Sequence, residues 1–346
     1  MSAKKVLVIR FSSFGDVLQS LSLPGHISNS WPDAEIHFLT RKDFVPLVQD
    51  HPNVYKVWSF DKRKGFLGLV RLARQLAEVP WTHVYDSHNN LRSQIVTFFI
   101  NGWFGLRRSR RGHRFLRRSI YRWKRFLLFR FRINKFEMPF SGQRDQLKPL
   151  EEWGISFSLP DPPQFYLKSR TVEFKTLMIP EHYIALAPSA AHELKRWPLE
   201  HWKKLIGLFP DTEFVVLGGP EDKFLSELAQ LDETRVVNLA GRLSLKESAE
   251  VVMKSQLLVS NDTGLMHVAE QTGKPCIALM GPAPFGFPSR KNTKVMELQL
   301  RCRPCSKHGQ GPCINKDIHQ KCLVEIRPEA VANEVGRILQ QGQAHI

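Results

Sequence analysis

Short apolar runs that end in small or polar residues recur along the chain. Val6-Leu7-Val8-Ile9 gives way to Ser12-Ser13-Phe14-Gly15-Asp16, and Val17, Leu18 and Leu21 then begin a helical spacing. That order predicts strand, tight loop and helix. Residues 35–40, 55–58 and 83–86 repeat the strand pattern, with a helical stretch over 66–76 and a Ser87-His88-Asn89-Asn90 loop after the last run. The pattern restarts near Tyr183. Residues 184–187 run into Pro188-Ser189, 213–217 into Gly218-Gly219-Pro220, 257–260 into Asn261-Asp262-Thr263-Gly264, and 276–280 into Gly281-Pro282, while 197–209 reads as helix. Strands alternating with helices predict parallel, doubly wound α/β sheets, which place ligands at the carboxyl ends of their strands. Leu159-Pro160-Asp161-Pro162-Pro163 is a stiff connection. The expected organisation is two Rossmann-like domains, 1–165 and 166–346, with a cleft between them. A length of 346 residues suits two domains.

Charge changes this picture in one region. The chain carries 50 Lys and Arg against 33 Asp and Glu, a net charge of +17. Residues 1–173 hold 29 basic and 14 acidic residues, so most of the excess lies in the front half. Segment 107–135 has thirteen basic residues and no acid, interleaved with Phe115, Tyr121, Trp123, Phe126, Phe129 and Phe131. Such a segment suits an anionic membrane surface; nucleic acid would also satisfy it, and a solvated helix face is the plain alternative. Arg107, Arg108, Arg110, Arg111, Arg114, Arg117 and Arg118 are the candidate acceptor or membrane contacts. No stretch approaches the roughly 18–20 apolar residues of a membrane span. Lys4 and Lys5 precede only four apolar residues before Arg10, too few for a secretory signal, so a cytoplasmic protein is expected.

The candidate chemistry sits at strand ends. Asp16 could act as a general base on a hydroxyl, or as a helix cap. Asp262-Thr263-Gly264-Leu265-Met266-His267 opens a helix. Its first N–H groups, with the Thr263 hydroxyl, could hold a phosphate, or the turn could be a cap followed by a core histidine. Lys195, in His192-Glu193-Leu194-Lys195-Arg196-Trp197-Pro198, could neutralise a diphosphate, and Glu221 could bind ribose hydroxyls. Neither a G-x-G-x-x-G fingerprint after the first strand nor a P-loop is present, which weakens dinucleotide and nucleotide-hydrolase readings.

Taken together, Arg10-Phe11-Ser12-Ser13-Phe14-Gly15-Asp16, Lys195-Arg196-Trp197-Pro198 and Asn261-Asp262-Thr263-Gly264-Leu265-Met266-His267 resemble glycosyltransferase family 9, the ADP-heptose:lipopolysaccharide heptosyltransferases. The resemblance implies a GT-B fold. It implies inverting, metal-independent transfer of heptose from ADP-heptose to an anionic lipid A–Kdo acceptor, at the inner membrane of a Gram-negative bacterium. By the same resemblance Asp16 is the base, and Lys195, Ser189, Glu221, Asp262, Thr263, Gly264, Leu265 and His267 are donor-binding. Ala190 and Ala191 stand where some relatives carry hydroxyl residues, so the donor sugar or the anionic glycolipid acceptor could differ. The alternative of another class is a nucleic-acid-binding protein using 107–135; the chemistry-bearing residues at successive strand ends argue against it.

Cys302, Cys305, Cys313 and Cys322 form a cysteine-rich segment, 302–322. Four thiols beginning with C-x₂-C could hold a structural zinc ion or an iron–sulfur cluster, but the later spacing is not that of a zinc ribbon, and reduced thiols are the alternative. No cofactor is expected to be required for catalysis.

Overall fold

The structure is a computed structural model that describes residues 3–102, 113–169 and 171–343. The chain divides into two compact units, Met1–Arg122 with Gly142–Lys168, and Trp123–Ser141 with Ser169–Ile346.

The first unit holds strands β1 (Lys5–Ile9), β2 (Glu35–Arg41), β3 (Lys56–Phe60), β4 (His83–Asp86) and β5 (Arg114–Arg117). They form one parallel sheet in the order β3-β2-β1-β4-β5. The second unit holds β6 (Ile184–Ala187), β7 (Phe214–Val216), β8 (Val236–Asn238), β9 (Leu257–Asn261), β10 (Cys276–Leu279) and β11 (Thr293–Met296). Its sheet is also parallel, in the order β11-β10-β9-β6-β7-β8. Both are doubly wound. The order reverses at β1/β4 in the first unit and at β6/β9 in the second. There two neighbouring strands send their chains to opposite faces and leave a crevice at their carboxyl ends.

Register sets what lies in each crevice. Ile9 pairs with Asp86, so the loops after β1 and β4 emerge side by side. Ala187 pairs with Ser260, which does the same for the loops after β6 and β9. The central strands are apolar on both faces because helices cover both. Val6, Leu7, Val8 and Ile9 are buried, as are Ile184, Ala185 and Leu186. The eight apolar runs of the sequence all become strands. The other three, β5, β8 and β11, lie at sheet edges.

The basic segment divides. Arg107, Arg108, Arg110 and Arg111 lie outside the described residues. Arg114 and Arg117 are the ends of β5, and the following helix Arg122–Phe131 lies almost wholly in the second unit. Among the described residues no helix is long and apolar enough to cross a membrane.

Candidate active site

In the first unit the switch-point crevice is organised by Arg10, whose residue is 5% exposed. Its Nε donates to the Ser12 carbonyl at 2.9 Å and its Nη1 to the Ser87 carbonyl at 2.8 Å, tying the loop after β1 to the loop after β4. Its Nη2 lies 2.8 Å from Asp16 Oδ1. Asp16 Oδ2 accepts from the Ser13 hydroxyl at 2.7 Å and from the Ser13 N–H at 3.2 Å. Ser13 is the N-cap of the helix Phe14–Ser20 and Asp16 its third residue, so the two close a capping box. The helix start fixes the carboxylate against Arg10, and the Asp16 side chain remains 39% exposed. Burial alone would raise its pKa. The Arg10 charge and the Ser13 hydroxyl outweigh that, with help from Arg118, and hold Asp16 well below the ordinary carboxylate range.

The neighbours complete this environment. The Phe11 N–H donates to His88 Nδ1 at 3.0 Å, and Asn90 Nδ2 lies 2.8 Å from His88 Nε2. Burial and the nearby Arg10 lower His88 to about 3, so the ring is neutral at physiological pH. Arg118 Nε donates to Asp145 Oδ2 at 2.5 Å, and the Tyr121 hydroxyl donates to Asp145 Oδ1 at 2.8 Å. The Arg118 side chain is only 12% exposed. It contributes to the field at Asp16 rather than to an outer surface. Arg117 pairs with the buried Asp86 at 3.1 Å and also donates to the Thr97 hydroxyl, while Arg114 is exposed.

In the second unit Lys195 ends a single 3₁₀ turn, Glu193–Lys195, after β6. Its Nζ lies 2.6 Å from Asp262 Oδ2, with side chains 16% and 8% exposed. Asn261 links the same two loops. Its Nδ2 donates to the Pro188 carbonyl at 2.5 Å, and its Oδ1 accepts from the Trp197 N–H at 3.1 Å. Thr263 is the N-cap of the helix Gly264–Thr272 but makes no side-chain capping bond; its hydroxyl faces Ser260 Oγ at 3.2 Å. The first-turn N–H groups of that helix therefore sit beside the Lys195–Asp262 pair, an arrangement that favours an anion.

The remaining expected donor residues are spread more widely. Ser189 and Leu265 are half-buried near the same loops. His267 is buried, and its Nδ1 pairs with Glu270 Oε2 at 3.1 Å. The other oxygen of Glu270 accepts from the N–H groups of Ser289 and Arg290, so His267 belongs to a buried staple. Glu221 is exposed. The carboxylate that orders its loop is the next residue, Asp222, which accepts from the Gly219 N–H at 2.7 Å and faces Arg196 Nη2 at 3.5 Å.

The four thiols of 302–322 line one void of 10 Å³. Burial pushes Cys322 up to about 11. Among the described residues no group of three or more His, Cys, Asp or Glu is placed to hold a metal ion.

The sequence pattern located Asp16, Lys195 and Asp262, but not that Lys195 pairs with Asp262 or Asp16 with Arg10. Arg10 carried a local signal, since it closes the first strand run. Asn261 opens the motif that runs to His267, whereas Asp145 and Asp222 carried no signal beyond their residue type.

A family model, glycosyltransferase family 9 (heptosyltransferase), matches residues 69–319. The chain belongs to glycosyltransferase family 9. It is 25% identical to a lipooligosaccharide heptosyltransferase 2 of Haemophilus ducreyi, over 97% of this chain and 99% of that protein. A family 9 glycosyltransferase of Veillonella parvula superposes with a TM-score of 0.74 at 20% identity, over 98% of each chain. The ADP-heptose lipopolysaccharide heptosyltransferase II of Escherichia coli gives 0.71 at 23%, over 98% of this chain and 99% of that one. The fold of this family 9 member is accordingly of GT-B type, with two Rossmann-like units.

Proposed function

We propose that the protein transfers a heptose from ADP-heptose to the inner core of lipopolysaccharide, with a lipid A–Kdo acceptor. The observation that carries this is the pair of switch-point clusters, one presenting a carboxylate and the other a cation beside a helix start. Family membership and the names of the relatives support the donor and acceptor. In the first unit Asp16 accepts the proton of the acceptor hydroxyl as its oxygen bonds to the anomeric carbon. The bond from that carbon to the donor phosphate oxygen breaks, and ADP departs with the electron pair. An oxygen that has added to an anomeric centre is a strong acid, so even a carboxylate of depressed pKa takes its proton. One displacement inverts the anomeric carbon.

Lys195 and the N–H groups at the start of the helix Gly264–Thr272 neutralise the departing diphosphate, so the chain's own groups supply the countercharge and the proposed transfer is metal-independent. Asp262 positions Lys195. Ser189, Thr263, Gly264 and Leu265 line the donor side, Glu221 is placed for the ribose, and His267 supports the loop from beneath. The cysteine-rich segment acts through its packing against this side.

The acceptor surface is the inner leaflet. The helix Arg122–Phe131 exposes Trp123, Phe126 and Phe131, with Trp123 stacked on Phe126 at 5.6 Å between centroids. Arg122, Lys124 and Arg130 flank them. Aromatic and basic residues together suit a lipid headgroup layer, each basic residue adding about 1 kcal/mol near anionic lipid. Incubation with ADP-heptose and lipid A–Kdo, followed by mass and anomeric analysis, tests the proposal. A product one heptose heavier with inverted configuration is expected; use of another nucleotide sugar in preference to ADP-heptose would overturn it.

A further inference from the structure

The short helix Gly142–Leu147 packs against the helix Phe14–Ser20, which carries Asp16. Both belong to the first unit. Polar side chains of the short helix reach the parts that surround Asp16. Gln143 Nε2 donates to Ser22 Oγ, just beyond the Asp16 helix, and Asp145 holds Arg118. Gln146 is fully buried, and its side chain reaches the loop after β4. Its Oε1 accepts from the Ser87 hydroxyl at 2.7 Å, while its backbone carbonyl accepts from the Tyr85 hydroxyl at 2.7 Å. Tyr85 lies in β4 and Ser87 directly follows it, so Gln146 is fastened to the strand end from two sides.

From Gln146 an unbroken line of contacts runs to the carboxylate. Gln146 Oε1 holds the Ser87 hydroxyl at 2.7 Å, the Ser87 carbonyl accepts from Arg10 Nη1 at 2.8 Å, and Arg10 Nη2 lies 2.8 Å from Asp16 Oδ1. Ser87 is fully buried and Arg10 nearly so, and the line reaches solvent only at Asp16. The next residues of the loop are held differently, by Asp86 Oδ1, which accepts from the N–H groups of His88 and Asn89. The Ser87 hydroxyl is the part of the loop that Gln146 fixes, and its residue carries the carbonyl that Arg10 needs. A buried amide is costly unless its polar atoms are used, and here the oxygen is used to orient the partner of Asp16. The charged and titratable groups around Asp16 are Arg10 at the end of β1, His88 after β4, Arg118 after β5 and Asp145 on the short helix, where Arg144 is exposed.

We propose that Gln146 is a positioning residue for the proton acceptor, fixing the Arg10 guanidinium against Asp16 through Ser87, a role that rests on the reading of Asp16 as the base. Gln146→Met and Ser87→Ala remove the same hydrogen bond from opposite sides. In each, turnover per folded molecule should fall about tenfold. The acid limb of kcat/KM should move to higher pH, because a less firmly held Arg10 lets the Asp16 carboxyl return towards its ordinary 3.8. ADP affinity should match the parent. The double variant should be no slower than the slower single one, since both act through one bond. Melting curves supply the folded fraction, and if Gln146→Met does not fold, Ser87→Ala decides by its turnover and acid limb. Parent-like turnover with an unmoved limb, whether or not the melting temperature falls, marks the bond as structural and overturns the role. Losses that multiply in the double variant overturn it as well. Asp16→Asn run beside them separates the two readings: if it loses turnover while Ser87→Ala does not, the base stands and the positioning role falls, and if it keeps parent turnover, both fall.

Discussion

At the first switch point the buried member of the ion pair is the cation, and at the second it is the carboxylate. The Arg10 side chain is 6% exposed against 39% for Asp16, whereas Asp262 is 8% exposed against 16% for Lys195. The same Rossmann-like crevice thus presents an accessible carboxylate in one unit and the more accessible cation in the other. In each case the buried partner orients the accessible one. A carboxylate held ready can take a proton, and a cation held ready can meet a phosphate. The sign of the presented charge is set by which partner the strand-end loops enclose.

Substitutions at the accessible members should have the largest effects. Asp16→Asn keeps the shape, and its one amide oxygen can still accept from Ser13, but it removes the proton acceptor and the charge that faces Arg10, and should lower turnover by roughly 10²–10⁴ in a steady-state assay. Lys195→Ala should weaken ADP by roughly 10–10² in calorimetry, because it removes the cation and leaves Asp262 buried without its partner. Asp262→Asn keeps the cation and should cost ADP affinity only about threefold, as expected for a positioning group. A loss as large as that of Lys195→Ala would mean that the carboxylate itself is part of the anion site.

The buried member at the first switch point gives a pH signature. The Asp16 pKa is lowered below its ordinary 3.8, so the Arg10–Asp16 pair stabilises the folded chain above that value and loses its effect as pH falls through the depressed one. In Arg10→Gln burial is no longer opposed by the guanidinium, and the Asp16 value rises. The acid limb of kcat/KM should then move to higher pH when profiled between about pH 4 and pH 8. An unmoved limb would show that Arg10 does not set the charge of Asp16.

The effect furthest from the chemistry is expected at the lipid surface. Trp123→Ala with Phe126→Ala should reduce sedimentation with anionic vesicles about tenfold and leave ADP affinity unchanged. The basic contribution should fade with salt, as the Debye length falls from about 10 Å at 0.1 M to about 3 Å at 1 M.

How much of this was legible in the sequence follows from burial. Central strands are enclosed on both faces and read as uninterrupted apolar runs, as in Val6-Leu7-Val8-Ile9 and Ile184-Ala185-Leu186-Ala187. Edge strands are not. In β5, Arg-Phe-Leu-Arg, only Leu116 is buried, and its arginines made the stretch read as part of a basic surface segment. β8 and β11 are short edge strands with the same handicap. The accessible groups of the site were legible because strand-end loops are where α/β sheets work. Their pairings were not, because Lys195–Asp262, Arg118–Asp145 and Asn261–Pro188 join positions far apart in the chain that only the fold brings together. Helical spacing placed His267 one turn into its helix, but not its pairing with Glu270.

The most direct test of the central claim, that Asp16 is the presented base and not merely part of a helix cap, is the turnover of Asp16→Asn measured beside its ADP affinity. If Asp16 is the base, ADP binding equals that of the parent and turnover falls by at least about 10². Turnover close to that of the parent, with ADP binding intact, would contradict it and leave Asp16 as a capping residue alone.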